Sequence, residues 1–391
     1  MFNKKALLII SGIAAIAVAC QKGGLQPSDT ASEDPDAFLA GTTVTVGEKS
    51  STFTKLFLLN EGAYQANNCT IDFFRFSSNT WYSDIFQKTN PDAALGLGDT
   101  GNDIAVYDGR VWTVLNGSGA VVVLDAKSEK KLAAIAVPAP RNIAFLDGMA
   151  FVTSYEGAIW GGEAVKGKVY AIDCISYEVE GSVEVGCQPE GIAACGGKLY
   201  VANSGGYQAA GYENSISVID PGTMKVESSI EVADNLHQVV SDRNGNLWAT
   251  TYGIGEYDES FNYSQTIPCN LYRVNTDTRK ATLVENVHAS LITPAAEGGI
   301  LALGNEEELS GACSWAISNV SADGSLRGAK TILPTEGYEN AYGIICDPST
   351  GYIYVGFTDY STPGRVECME PGGKEIWHVT TGINPGHFAL Y

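Results

Sequence analysis

The 391-residue chain carries 24 Lys and Arg against 45 Asp and Glu, a formal charge of -21 at pH 7. That balance excludes backbone-driven nucleic-acid binding, which needs clustered cations, and a 45% hydrophobic content excludes a disordered chain. Glycine, 44 residues or about 11% against a usual ~7%, argues for turns and short strands over helices.

In chain order the first feature is Lys4 and Lys5 followed by a mostly apolar stretch from Ala6 to Ala19. Its length suits a secretory signal peptide and is short for a membrane span. Ala17-Val18-Ala19-Cys20 resembles a bacterial lipobox. Residues 1–19 therefore read as a lipoprotein signal peptide and Cys20 as the lipidated first residue of the mature chain. More than one acyl chain at that cysteine supplies stable membrane anchoring. Residues 20–52, rich in Gly, Pro, Ser, Thr and Asp, read as a flexible tether. No CxxC spacing follows and only 4 His are present, which argues against a structural zinc cluster. Cys187 and Cys195 flank a turn, where a local disulfide and two isolated thiols are both open readings.

From residue 53 onward one pattern recurs: a short strand, a Gly or Asp turn, then a more regular strand. It appears as NDIAVYDGRVWTVLN (102–116), RNIAFLDGMAFVTSYEG (141–157), EGIAACGGKLYVANSGG (190–206), HQVVSDRNGNLWATTYG (237–253) and YGIICDPSTGYIYVGFTD (342–359). ASLITPAAEGGILALGN (289–305) is a weaker copy, and LFLLNEG (56–62) shows the second strand alone. Asp108-Gly109, Asp147-Gly148 and Gly196-Gly197 are hairpin turns, since these residues accept positive φ. Third strands follow at AVVVLDAKS (120–128), GKVYAIDCIS (167–176), NSISVIDPGT (214–223) and CNLYRVNTDT (269–278).

Second strands starting at 56, 111, 150, 199, 247, 300 and 352 make seven units spaced by about 49 residues. A period of ~40–50 built from antiparallel strands marks a β-propeller blade. The expected fold is all-β: a seven-bladed propeller of four-stranded antiparallel blades over residues 53–391. The C-terminal Asn384-Pro385-Gly386-His387-Phe388-Ala389-Leu390-Tyr391 resembles the start of an inner strand, which the first unit lacks. The C-terminus is expected to supply it and close the ring.

Loops leading into inner strands and loops joining second to third strands emerge on one face of such a ring. The second kind is long in the third to fifth units, and length on one face suggests use. Tyr and Trp recur there and give rigid, amphipathic contact area. The expected ligand-binding set is Tyr64, Asn116, Arg141, Tyr155, Trp160, Asn203, Tyr207, His237, Tyr252, Asp359, Tyr360 and His387. Motifs for a GxSxG elbow, Walker A, HExxH and an EF-hand are missing, and no catalytic residue is assigned. Glu61, Glu156, Glu190 and Asp359 are funnel carboxylates, but their spacing singles out no catalytic pair. No cofactor is required, although carboxylates and carbonyls in the funnel suit a structural Ca or Mg ion. His237 and His387 suit either a hydrogen bond to a neighbouring loop or a metallated ligand.

The lipobox, the tether and a ring carrying LFLLNEG, LYVANSGG, ISVIDPGT and LWATTYG resemble the surface-exposed YncE-like propeller lipoproteins of Bacteroidota. That resemblance covers about residues 55–391. It implies a lipid-anchored, outward-facing place at the outer membrane and a TonB-dependent transporter (BtuB-like) as partner. Among such lipoproteins are ones that capture vitamin B12, which implies a corrinoid (cobalamin or cobinamide) as bound ligand. The chain is expected to be a monomer when soluble. Two other classes stay open on the same scaffold: an adhesive or structural propeller for glycan or protein, and an enzyme such as a lactonase or lyase.

Overall fold

The computed structural model describes residues 39–159, 164–206, 211–257, 263–305, 315–333 and 340–391. Over these residues the chain is a seven-bladed propeller, each blade an antiparallel sheet ordered from an inner to an outer strand. Blade two is representative, with strands Gly101–Tyr107, Arg110–Leu115, Ala120–Asp125 and Lys131–Ala136. Blade three starts at Pro140, blade four at Pro189, blade five at Leu236, blade six at Leu291 and blade seven at Asn340.

The local chemistry explains the regularity. Asp108 and Gly109 sit at φ 46° and 71°, and Asp147 and Gly148 at 50° and 82°, as a tight hairpin between right-twisted strands demands. At the far end of the third strand, Asp125, Asp173, Asp220 and Asn275 each accept backbone N–H bonds from the turn that follows. Each side chain thus closes a second hairpin in its blade.

Second strands are buried but for an occasional half-buried end residue, and Lys55–Asn60 and Ile353–Thr358 are buried along their whole length. Outer strands show exposed positions, as in Lys131–Ala136. The apolar core is accordingly divided among the seams between blades. Leu56, Phe74, Trp81, Tyr354 and Trp377 fill the seam between blades seven and one. Trp112, Val123, Ile143 and Val152 fill that between blades two and three. Polar stitches cross the seams near the second-strand ends. Thr153 Oγ1 donates to the Glu190 carbonyl at 2.9 Å, and Thr250 Oγ1 to the Ser290 carbonyl at 2.8 Å. Close approach of inner strands needs small residues: a Cβ on Gly191 would stand 2.5 Å from the Val239 nitrogen of the next blade.

The C-terminal strand Pro385–Leu390 pairs with Lys55–Asn60, placing Leu390 opposite Leu56 and Phe388 opposite Leu58. Blade one is therefore built from both ends of the ring, as the repeat phase implied. Three features depart from the expectation. Residues 39–52, read as the last part of a free tether, are bound to the ring. Thr42 and Thr43 pair with Trp81 and Thr80 as a fifth strand, and Lys49 Nζ reaches the Thr350 carbonyl of blade seven at 2.7 Å. This segment straps the closing seam from outside. A short helix, Ile85–Thr89, buries Ile85 and Phe86. Blade five carries an additional hairpin, Ile254–Tyr257 with Tyr263–Ile267.

All seven described cysteines of the ring are free. Cys187 ends one strand and Cys195 ends the next, so a full strand length separates them and the local disulfide is corrected. Among the described residues no helix is long and apolar enough to cross a membrane. The segments expected as signal peptide and lipidation site, residues 1–19 and Cys20, lie outside the described residues.

Candidate functional site

The start of each inner strand and the end of each second strand lie at the same face, around the ring axis. Their side chains converge into three linked groups. The first is centred on Arg141, at the start of its inner strand. Its Nε donates to Glu190 Oε2 at 3.0 Å and its Nη2 to Oε1 at 3.1 Å, while Nη1 donates to Asn102 Oδ1. The Tyr155 hydroxyl also donates to Glu190, and the guanidinium lies 4.8 Å from the Tyr155 ring centroid. Side chains from blades two, three and four are locked into one network.

The second group joins blades seven and one. The Tyr342 hydroxyl donates to Glu61 Oε2, and Tyr360 meets the Tyr342 ring edge-on with centroids 5.6 Å apart. The third belongs to blade five and reaches blade six. His237 stacks on Tyr252 at 3.8 Å, and its Nδ1 lies 2.9 Å from the Ser290 carbonyl. His387, on the closing strand, completes the mouth.

Electrostatics give this mouth a largely neutral hydrogen-bonding surface. Burial, Arg141 and His387 together hold the His237 imidazole down to about 3. Burial and Arg141 hold His387 down to about 4. Both imidazoles are thus neutral at physiological pH. Burial pushes the Tyr155 and Tyr342 phenols well up, and both remain hydrogen-bond donors. Burial also raises Glu61, against the pull of the Tyr342 hydrogen bond and Arg141. Such a surface offers donors, acceptors and ring faces with little free charge.

The expected residues divide clearly. Arg141, Tyr155, His237, Tyr252, Tyr360 and His387 come together at the mouth. Tyr64 and Tyr360 stand 56% and 54% exposed, available as contact platforms. Tyr155 is only 1% exposed, so its ring is a wall of the network and no free platform. Asn116 and Asn203 are buried and work inside the scaffold. Asn116 Nδ2 donates to the Pro140 carbonyl at 3.0 Å, and Asn203 Oδ1 accepts from Gly186 N at 2.9 Å. Asp359 folds its own loop, accepting from the Ser361 and Thr362 backbone at 2.8 and 2.7 Å. Those bonds, led by the Thr362 hydroxyl, pull its carboxyl below the usual range. Trp160 and Tyr207 lie outside the described residues.

Glu190, Glu61, Tyr342 and Asn102 were not chosen as ligand residues, yet they complete the networks. Their positions signalled it: Glu190, Tyr342 and Asn102 occupy the same place in the repeat as Arg141 and His237. Among the described residues no group of three or more His, Cys, Asp or Glu is placed to hold a metal ion.

Comparison with known proteins adds a family and a fold. The sequence model described as "Domain of unknown function (DUF5074)" matches residues 55–279, more than half of the chain. No curated protein matches. Among solved structures, Kuenenia stuttgartiensis hydrazine synthase is similar at 18% identity and a TM-score of 0.56, covering 73% of this chain and 88% of that one. A mutant of Synechocystis apocarotenoid oxygenase is similar at 10% identity and a TM-score of 0.54, covering 90% and 96%. At these identities the likeness concerns the fold alone.

Proposed function

The chain belongs to the DUF5074 family, and from that premise we propose that its ring is a ligand-capturing scaffold whose axial mouth takes a corrinoid. In this reading the protein is anchored through lipid at Cys20 on the outer membrane and passes its ligand to a TonB-dependent transporter.

One observation carries the proposal: the mouth chemistry of the described residues, drawn from blades all around the axis, is largely neutral, rich in Tyr and His rings, and full of paired donors and acceptors. A corrinoid is large, flat and fringed with neutral amides. Amide groups exchange hydrogen bonds well with phenols, imidazoles and carboxylates already fixed in place. Preorganised groups lose little freedom when ligand binds, so more of the contact energy appears as affinity. The exposed rings of Tyr64, Tyr212 and Tyr360 extend an apolar rim on the same face. Rings of that kind also suit sugars, which keeps glycan binding as the competing outcome.

Calorimetry with cyanocobalamin and cobinamide tests this directly. The expected result is one ligand per chain, with coloured protein surviving gel filtration. A colourless eluate with no heat down to micromolar ligand overturns the corrinoid reading, and binding on a glycan array in its place supports the sugar reading.

A further inference from the structure

His237 shows a feature that hydrogen bonding within the ring does not use up. Its Nδ1 faces a carbonyl oxygen, that of Ser290, at 2.9 Å. A carbonyl only accepts, so Nδ1 carries the proton, and in the neutral ring the lone pair sits on Nε2. The ring is held twice more. Tyr252 stacks on it at 3.8 Å with an interplanar angle of 19°, and Thr250 Oγ1 fixes the same Ser290 carbonyl at 2.8 Å. Nε2 has no hydrogen-bond partner among the described residues and is not among the buried polar atoms sealed from solvent.

An imidazole oriented through Nδ1–H to a backbone carbonyl is how proteins prepare Nε2 for a metal. A free divalent transition ion, however, wants about four or more donors. The described residues place no third His, Cys, Asp or Glu with His237 and His387. The donor count is wrong for a bare ion and right for a metal already chelated in a plane, which lacks only an axial ligand.

We propose that His237 Nε2 is the axial ligand to the metal of a flat macrocyclic chelate seated in the mouth. The proposal rests on the corrinoid reading above, with cobalt as that metal. The Nε2 lone pair forms the bond to cobalt and one bound water leaves as water, with no change of oxidation state. His237 thereby distinguishes ligands with an exchangeable axial position from those whose positions are blocked.

The test uses the whole ring and two cobinamide forms, which carry no nitrogenous base of their own. With diaquocobinamide, binding is expected to shift the visible absorption bands as free imidazole does. Dicyanocobinamide is expected to show no such shift. His237→Ala and His237→Gln both lose the shift, the Gln amide still being able to donate to the Ser290 carbonyl, whereas His378→Ala on the outer strand of blade seven retains it. On the unmodified protein, bound cob(II)inamide should acquire the three-line nitrogen splitting of one axial nitrogen in its paramagnetic resonance spectrum. Calorimetric binding without the shift and splitting, or a shift surviving both His237 substitutions, overturns this inference and leaves corrinoid capture standing. No binding at all removes both. Stoichiometric retention of Zn²⁺ alone, lost in His237→Ala, would mean a bare-ion site and also overturn it.

Discussion

Deleting residues 385–391 is expected to leave a chain that no longer unfolds in a single cooperative transition near the full-length midpoint. The deleted strand pairs with Lys55–Asn60 over five register positions from Leu56 to Asn60. At ~1 kcal/mol net for each hydrogen bond, that ladder contributes about 5 kcal/mol. Phe388, Ala389 and Leu390 add apolar burial worth a few kcal/mol more. The total is comparable with the whole stability of an ordinary domain, ~5–15 kcal/mol. The loss also exposes a fully buried second strand as an open edge, which invites association between chains. Thermal unfolding followed by circular dichroism reads the effect. An unchanged midpoint would show that the outer strap and the seam cluster hold the ring without the C-terminal strand.

The second large effect is expected at Glu190. Its side chain is 1% exposed and Arg141's is 12% exposed, with the two carboxylate oxygens shared between the guanidinium and Tyr155. Glu190→Ala removes the bidentate carboxylate partner of a largely buried guanidinium, which costs about 3 kcal/mol. Arg141→Met with Glu190→Met removes both charges and is expected to be less destabilised than Glu190→Ala alone. Denaturant unfolding of Arg141→Met, Glu190→Met and the double Met variant measures the coupling. Additive losses would mean that the pair is screened by water at the mouth. Tyr155 belongs to this ledger as well: Tyr155→Phe is expected to lower stability, by about 1–2 kcal/mol, because a buried carboxylate loses a donor.

The ring was legible because its signals are local. Asp-Gly and Gly-Gly pairs set hairpins, and runs such as Arg110–Leu115 and Met149–Ser154 fall within one residue of where the repeat places them. The strap at residues 39–52 was not legible for the opposite reason. Its only apolar alternation is the brief Thr43-Val44-Thr45-Val46, and its bonds reach across the fold, as from Lys49 to Thr350 and from Thr52 to Ser349. The helix Ile85–Thr89 is too short to declare a helical period.

At the site, position in the repeat predicted which residues meet at the axis. Chemistry at that position decided what they do there. Arg141 and His237 share a place in their blades, yet one locks three blades together and the other offers an unused ring nitrogen. Asn116 follows its second strand and Asn203 ends one, each where a loop begins, but their amides stitch the scaffold. Sequence shows a polar residue before a loop; only the neighbouring strand shows whether its partner is backbone or ligand. Glu190 and Tyr342 were under-read for the same reason, because each partner comes from another blade.

Hydrogen–deuterium exchange with and without cobinamide tests the central claim most directly, by asking which face the ligand covers. Capture at the axial mouth predicts slowed exchange in peptides spanning 58–64, 139–156, 236–254, 340–343, 358–362 and 384–388. The hairpins at 106–111, 145–150 and 194–199 on the opposite face should be unaffected. Protection confined to those hairpins or to the outer strands, with the mouth peptides unchanged, would contradict the account.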